Sequence, residues 1–294
     1  MVKLKNILFE ASLTGQNQGS EEIGGYKGFF KLSEMEAYKK WLKKTLRVEL
    51  VEGVNDPGIL KAVFLAGGPG SGKTYIAKGL FGIPDRVNVS QSGMKMVNSD
   101  KELKYLLYKF GFGTDLDALP DEVFANLTNP KDPKYSGLRS FAKDLTGQRR
   151  KLYQDGRLGM IIDGTGDDFK KIAAEKKELE AVGYDTYMIF VNTTLEVALQ
   201  RNENRDRVLP EKIVRDSHRA VNQNIGGFQG LFGSSNFMIV DNNDYQDEKA
   251  AQKRFNMLVR QGLSTFLKKP ITSEKAKSWI RKQKILDKSK GRTK

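Results

Sequence analysis

The sequence predicts an α/β fold, a five-stranded parallel sheet with flanking helices and a phosphate-binding loop after its first strand. Three observations carry this expectation. Five short apolar runs, near 61–66, 94–97, 160–163, 186–191 and 237–240, are separated by stretches of helical spacing. Strands that alternate with helices and are apolar throughout belong in a parallel sheet covered on both faces. The stretch Gly67-Gly68-Pro69-Gly70-Ser71-Gly72-Lys73-Thr74 lies between one such run and one such helix and fits Gly-x-x-x-x-Gly-Lys-Thr. Two further runs are closed or followed by a carboxylate, Asp163 and Asp100. In open α/β sheets the carboxyl ends of strands form the edge where ligands bind.

The loop has a physical task for each part. Its glycines let backbone amides turn inward around phosphate oxygens, and the following helix adds positive potential at its N-terminus. Gly68, Pro69, Gly70, Ser71, Gly72, Lys73, Thr74 and Tyr75 are the candidate nucleotide-binding residues. Lys73 reaches the β- and γ-phosphates, and the Thr74 hydroxyl is a candidate ligand of Mg²⁺.

Composition narrows the chemistry. With 294 residues, 38% of them hydrophobic, the chain has ample material for a sizeable core. It has no cysteine and a single histidine, which excludes disulfides, thiolate metal sites and His-His relays, so the chemistry rests on Asp, Lys, Arg and Thr. No run reaches the ~18 apolar residues of a membrane span, and the first nine residues are too short for a secretory signal. The expectation is a cytoplasmic protein. The formal charge of +14 is unevenly placed. Residues 51–250 hold 27 Lys/Arg against 28 Asp/Glu, whereas residues 251–294 hold 14 against 2. Basicity therefore points to an anionic partner at the C-terminal tail and says little about the substrate.

Taken in order, residues 1–57 predict a leader and a docking helix. Gly, Ser, Gln and Asn dominate 11–30, and Ser33 with Glu36 forms a capping box before the apolar face Tyr38, Trp41, Leu42 and Leu46. The catalytic domain is expected over 58–268. Asp100 ends the run from Met94 and opens the helix from Glu102 to Lys109; it can meet phosphates or simply cap the helix. Residues 111–139, broken by Pro120, Pro130 and Pro133, read as a substrate-side insertion. A helix follows over 140–155, whose Arg149-Arg150-Lys151 triplet is expected to be a solvated face. Asp163 closes Met160-Ile161-Ile162, the position from which P-loop enzymes hold Mg²⁺ or its water.

Beyond it, a helix from about Asp168 to Val182 leads to the fourth strand, and Thr194 caps the next helix. Arg201, Arg205 and Arg207 then bracket a helix-to-helix turn. Guanidinium forks match phosphate oxygens, so this turn is a candidate lid, with surface pairing to Glu203 and Asp206 as the ordinary alternative. His218 lies on the helix from Glu211 to Asn224 and receives no role. Ala251, Phe255, Leu258, Val259, Leu263 and Phe266 line a closing helix, and residues 269–294 form a basic tail in which Ser273 caps a short helix carrying Trp279 and Ile280.

Residues 60–242 resemble the P-loop kinase clan that contains the kinase domain of phage polynucleotide kinase and the zeta toxins. Val97-Asn98-Ser99-Asp100 is similar to the clan's strand-end aspartate, which accepts the proton of the attacking hydroxyl. Ile162-Asp163-Gly164-Thr165-Gly166 is similar to the zeta toxins' Glu-Gly-Thr-Gly-Arg segment, with Asp167 where that arginine stands. Arg201 through Arg205 to Val208-Leu209-Pro210 is similar to the lid of polynucleotide kinase, whose Asp-Thr-Asn is replaced by Asp163-Gly164-Thr165. The resemblance implies a sheet order of 2-3-1-4-5, ATP and Mg²⁺ as cofactors, Asp100, Lys73, Arg201, Arg205 and Arg207 as catalytic residues, and Thr74 with Asp163 as metal ligands. It implies phosphoryl transfer to a hydroxyl. A polynucleotide 5′-hydroxyl is slightly favoured, and a small molecule or nucleotide sugar stays open as acceptor. The alternatives are an ATPase bound to nucleic acid or an assembly, and a nonenzymatic anchoring protein.

Overall fold

The computed structural model describes residues 22–23, 26–27, 54–83, 90, 93–109, 116, 124–125, 138–204, 208–243 and 264–289. The chain forms two compact units: residues 1–51, 98–156 and 203–210 make one, and residues 52–97, 157–202 and 211–294 the other. The expected docking helix over 38–46, most of the 111–139 insertion, the closing helix up to Leu263, and Arg205 and Arg207 lie outside the described residues. Within the glycine-rich leader, β1 (Glu22–Ile23) and β2 (Tyr26–Lys27) pair antiparallel.

The second unit holds the sheet. Its strands are β3 (Lys61–Ala66), β4 (Lys95–Val97), β5 (Met160–Asp163), β6 (Asp185–Asn192) and β7 (Phe237–Asp241). All pair in parallel in the order β4-β5-β3-β6-β7. Counting these five in chain order gives 2-3-1-4-5, as the resemblance implied. The central strand β3 is buried along its whole length, which is why its residues 62–66 read as a continuous apolar run without alternation. Val63 stands opposite Ile161 on one side and Tyr187 on the other. With Leu65, Met96, Ile189, Val191 and Val240 these residues form one core face, closed by Ile76, Ala77 and Phe81 of helix α1 (Lys73–Phe81).

The intervening helices end where local chemistry stops them. Helix α1 closes on Gly82, whose φ of 60° lets its N–H return to the Lys78 carbonyl. Among the rest, α4 (Phe169–Ala181) is capped by Asp168, which accepts from the Lys171 amide at 2.9 Å. Helix α5 (Leu195–Glu203) is capped by Thr194, whose hydroxyl accepts from Val197 N at 3.3 Å. Helices α6 (Glu211–Gln223) and α7 (Ile225–Phe232) then lead to β7.

The start of the basic tail is stitched to the entry of β6. Thr272 Oγ1 donates to Asp185 Oδ1 at 2.6 Å, and Lys275 Nζ donates to the Ala181 carbonyl at 3.1 Å. Ala276 is buried against Gly183. The rest of helix α8 (Glu274–Ser289) leaves Ile285 and Leu286 exposed. Just before it, a helical stretch at 264–268 sets Phe266 on Tyr187, with ring centroids 4.9 Å apart. The Lys61 ammonium closes that stretch, donating to the carbonyls of Phe266, Leu267 and Lys269 at 2.5, 2.6 and 2.7 Å. Among the described residues no helix is long and apolar enough to cross a membrane.

The first unit contains helices α2 (Asp100–Lys109) and α3 (Leu138–Asp155), packed against each other. Here the expected solvated triplet is corrected. Arg149 is buried and pairs with buried Glu102 at 2.6 Å, whereas Arg150 is half-buried and Lys151 exposed. Successive helical side chains point about 100° apart, so one sequence triplet spans inner and outer faces.

Candidate phosphate-binding site

The loop leaving β3 turns through backbone angles that favour glycine. Gly67, Gly70 and Gly72 have φ of 152°, 79° and 80°, a region that side chains with a Cβ rarely adopt. Space excludes a side chain as well. A Cβ on Gly67 would lie 2.6 Å from the Val191 carbonyl, and one on Gly70 would collide with the Ala198 carbonyl. The cradle is thus shaped by close approach of β6 and α5 to the loop.

Helix α1 starts at Lys73, and its first backbone bond runs from Ile76 N to Gly72 O at 3.0 Å. Lys73 Nζ donates to the carbonyls of Gly67 and Gly68 at 2.5 and 3.0 Å, so the ammonium lies along the loop. Thr74 Oγ1 donates to Asp163 Oδ2 at 3.1 Å. Strand register explains that meeting: Asp163 stands opposite Leu65, at the carboxyl end of the strand beside β3. A hydroxyl and a carboxylate converging beside a loop built for oxyanions are the donor set that suits Mg²⁺, a hard cation that takes few protein oxygens. Pro69 and Ser71 are buried, and Tyr75 on the first turn of α1 is 74% exposed.

Four neighbours complete the site. Asn242, just past β7, donates its carboxamide to the Ser71 carbonyl at 2.8 Å. Its own carbonyl accepts from Arg201 Nη1 at 2.8 Å. That guanidinium nitrogen lies 3.8 Å from where a Cβ on Gly72 would be. His218 lies across Gly68, its Cα 3.4 Å from a Cβ built there, and its Nε2–H donates to the Thr193 carbonyl at 2.9 Å. Asn224, at the end of α6, donates to the carbonyls of Gly166 and Asp167 at 3.0 and 3.1 Å, holding the loop after Asp163.

Of the residues singled out from sequence, the loop, Asp163 and Arg201 come together within the second unit. Asp100 belongs to the first unit, where it opens α2 as an exposed residue. At the entry to α2, Asn98 Oδ1 accepts from Asp100 N at 2.6 Å. No sequence motif marks Asn242 or Asn224, and the sequence assigns His218 no role. Polar residues just beyond an apolar strand, as Asn242 is, were the available signal.

The parallel order 2-3-1-4-5, with a Gly-x-x-x-x-Gly-Lys-Thr loop leaving the central strand and a carboxylate closing its neighbour, defines a P-loop fold of kinase-like topology. No protein-family model and no curated protein matches the sequence. Among solved structures, the chain is similar to one from the PezAT chromosomal toxin-antitoxin system of Streptococcus pneumoniae. That match has 15% identity and a TM-score of 0.44, and covers 82% of this chain and 100% of that one. A shikimate kinase from Acinetobacter baumannii, in complex with shikimate, matches at 15% identity and TM-score 0.39, covering 72% and 98%. The native AvrRxo1-ORF1:-ORF2 complex matches at 13% identity and TM-score 0.46, covering 90% and 91%.

Proposed function

We propose that this chain is an ATP-dependent kinase of the polynucleotide kinase and zeta toxin clan, acting in the cytoplasm and transferring the γ-phosphoryl group to a hydroxyl. A polynucleotide 5′-hydroxyl is the favoured acceptor, and a small molecule or nucleotide sugar is the second. The place of Arg201 carries the reading. An ATPase working in an assembly takes its arginine from a neighbouring subunit, whereas Arg201 lies beside the phosphate loop of its own chain.

In this reading the amides of Gly68 and of Gly70 to Thr74 surround the phosphates, and Lys73 leaves the loop carbonyls for the β- and γ-oxygens. Asp100 accepts the proton of the acceptor hydroxyl as its oxygen bonds to the γ-phosphorus and the bond to the ADP oxygen breaks. Arg201, with Arg205 and Arg207 that follow it in the sequence, stabilises charge on the transferred group. Thr74 and Asp163 would hold Mg²⁺, which when bound neutralises charge on the phosphate oxygens.

Labelled ATP offered with 5′-hydroxyl DNA and RNA, nucleosides and nucleotide sugars tests the proposal. Transfer to one of them is the expected result, with a loss of about 10²-fold or more in Asp100→Asn. Hydrolysis with label passing to none of them would favour the ATPase reading. Near wild-type transfer by Asp100→Asn would move the base elsewhere, Asp163 first. The concentrated positive charge after residue 250 supports a separate anionic partner for the tail, nucleic acid first among them.

A further inference from the structure

Buried ion pairs are an expensive way to hold two helices together. Well-packed apolar side chains do as well, because each charge must leave water and only good geometry offsets that. Arg149 and Glu102 form such a pair between α3 and α2, with side chains 2% and 1% exposed and a 2.6 Å contact from Nη1 to Oε1. What a guanidinium adds over an apolar contact is direction, since its fork fixes two acceptors in one plane. A second acceptor of Arg149 is the Asn98 carbonyl, 3.1 Å from Nη2.

The two acceptors lie two residues either side of Asp100. Asn98 is held at both ends, by its carbonyl to Arg149 and by its side-chain oxygen to the Asp100 amide at 2.6 Å. Leu103 N, donating to Ser99 O at 2.9 Å, completes the first turn of α2. One buried side chain thus touches both the segment that enters α2 and the first turn of that helix, and both bear on where the Asp100 carboxylate projects.

We infer that Arg149, through Glu102 and the Asn98 carbonyl, is a positioning residue for Asp100. The inference rests on the reading of Asp100 as the base. A catalytic carboxylate is effective only within hydrogen-bond reach of its proton donor, so a small rotation of α2 costs turnover while ATP binding, which belongs to the phosphate loop, stays intact.

The test uses the full-length chain with Arg149→Met/Glu102→Leu, which restores apolar packing without the fork, and with Arg149→Lys, which keeps the charge and loses the fork. Amide hydrogen exchange is followed for residues 98–103 and for β5, and γ-phosphoryl transfer is followed with a 5′-hydroxyl oligonucleotide and with water as acceptors. The expected result in both variants is exchange over 98–103 faster by about tenfold or more, with β5 unchanged. Turnover falls by about 10- to 100-fold at unchanged KM for ATP. Asp100→Asn combined with Arg149→Met should lose no more turnover than Asp100→Asn alone, because a displaced base and an absent base are equivalent. Unchanged exchange over 98–103 in the apolar pair, or equal acceleration in β5, overturns the positioning role. If Asp100→Asn keeps its turnover, the assignment of the base fails, and the exchange data still decide whether Arg149 orders the segment.

Discussion

The Asn242 carboxamide nitrogen lies 2.8 Å from the Ser71 carbonyl, 171 residues away in sequence, and so joins the exit of β7 to the middle of the phosphate loop. The same residue accepts from Arg201 through its backbone carbonyl. One asparagine therefore ties together the glycine-rich loop and Arg201.

Replacing Asn242 by leucine keeps much of its volume but strands the Ser71 carbonyl, and an unmet polar group of this kind costs about 1–3 kcal/mol. The expected outcome is ATP binding weakened about tenfold, the equivalent of 1.4 kcal/mol, with little change in the thermal midpoint. Calorimetric titration of ATP into the variant checks it. Unaltered affinity would mean that the loop keeps its shape without the strap.

Two glycines of the loop should respond in opposite ways to alanine. Gly70→Ala meets the Ala198 carbonyl at a φ of 79°, so ATP binding should fall by about 10²-fold, the scale of strain and collision together. At Gly68 a new Cβ finds His218 at 3.4 Å, an ordinary contact, and binding should stay within about threefold of the parent, well under 1.4 kcal/mol. Parallel nucleotide titrations of the two variants decide the matter.

Burial pulls the Lys61 ammonium down to about 8 from 10.5, with Asp185 opposing and Lys269 adding to the shift. Between those two pH values the unfolded chain holds a proton that the folded chain has released. This group's contribution to stability therefore rises with pH across that window, by up to about 3 kcal/mol. Urea unfolding at pH 7.5 and pH 10 should show the parent gaining on Lys61→Met. A gap that stays constant or narrows would mean that the three carbonyls keep the ammonium charged.

Truncations can separate the docked start of the tail from its charge. Ending the chain after residue 278 keeps the Thr272, Lys275 and Ala276 contacts, whereas ending it after 269 removes all three. The longer form should retain the parent's stability and lose the steep salt dependence of nucleic-acid binding that clustered lysines confer. The shorter form should unfold at lower temperature as well. Nucleic-acid affinity unchanged in the longer form, titrated at low and moderate salt, would dismiss the tail as a contact.

What the sequence determined by itself was local or periodic. The spacing of Gly67 to Thr74 marks a turn whose geometry adjacent residues dictate, and the five apolar runs mark strands because the central layer is covered on both faces. Asp163 was legible for the same reason, standing at the end of its run. The tertiary structure alone decided which distant groups meet those elements. Asn242 reaches Ser71, His218 crosses Gly68, and Arg149 turns inward to Glu102 while Lys151 of the same basic triplet faces solvent. Propensity and spacing act over one or two turns of chain, whereas these contacts follow from strand order and helix rotation, which packing of the whole core sets.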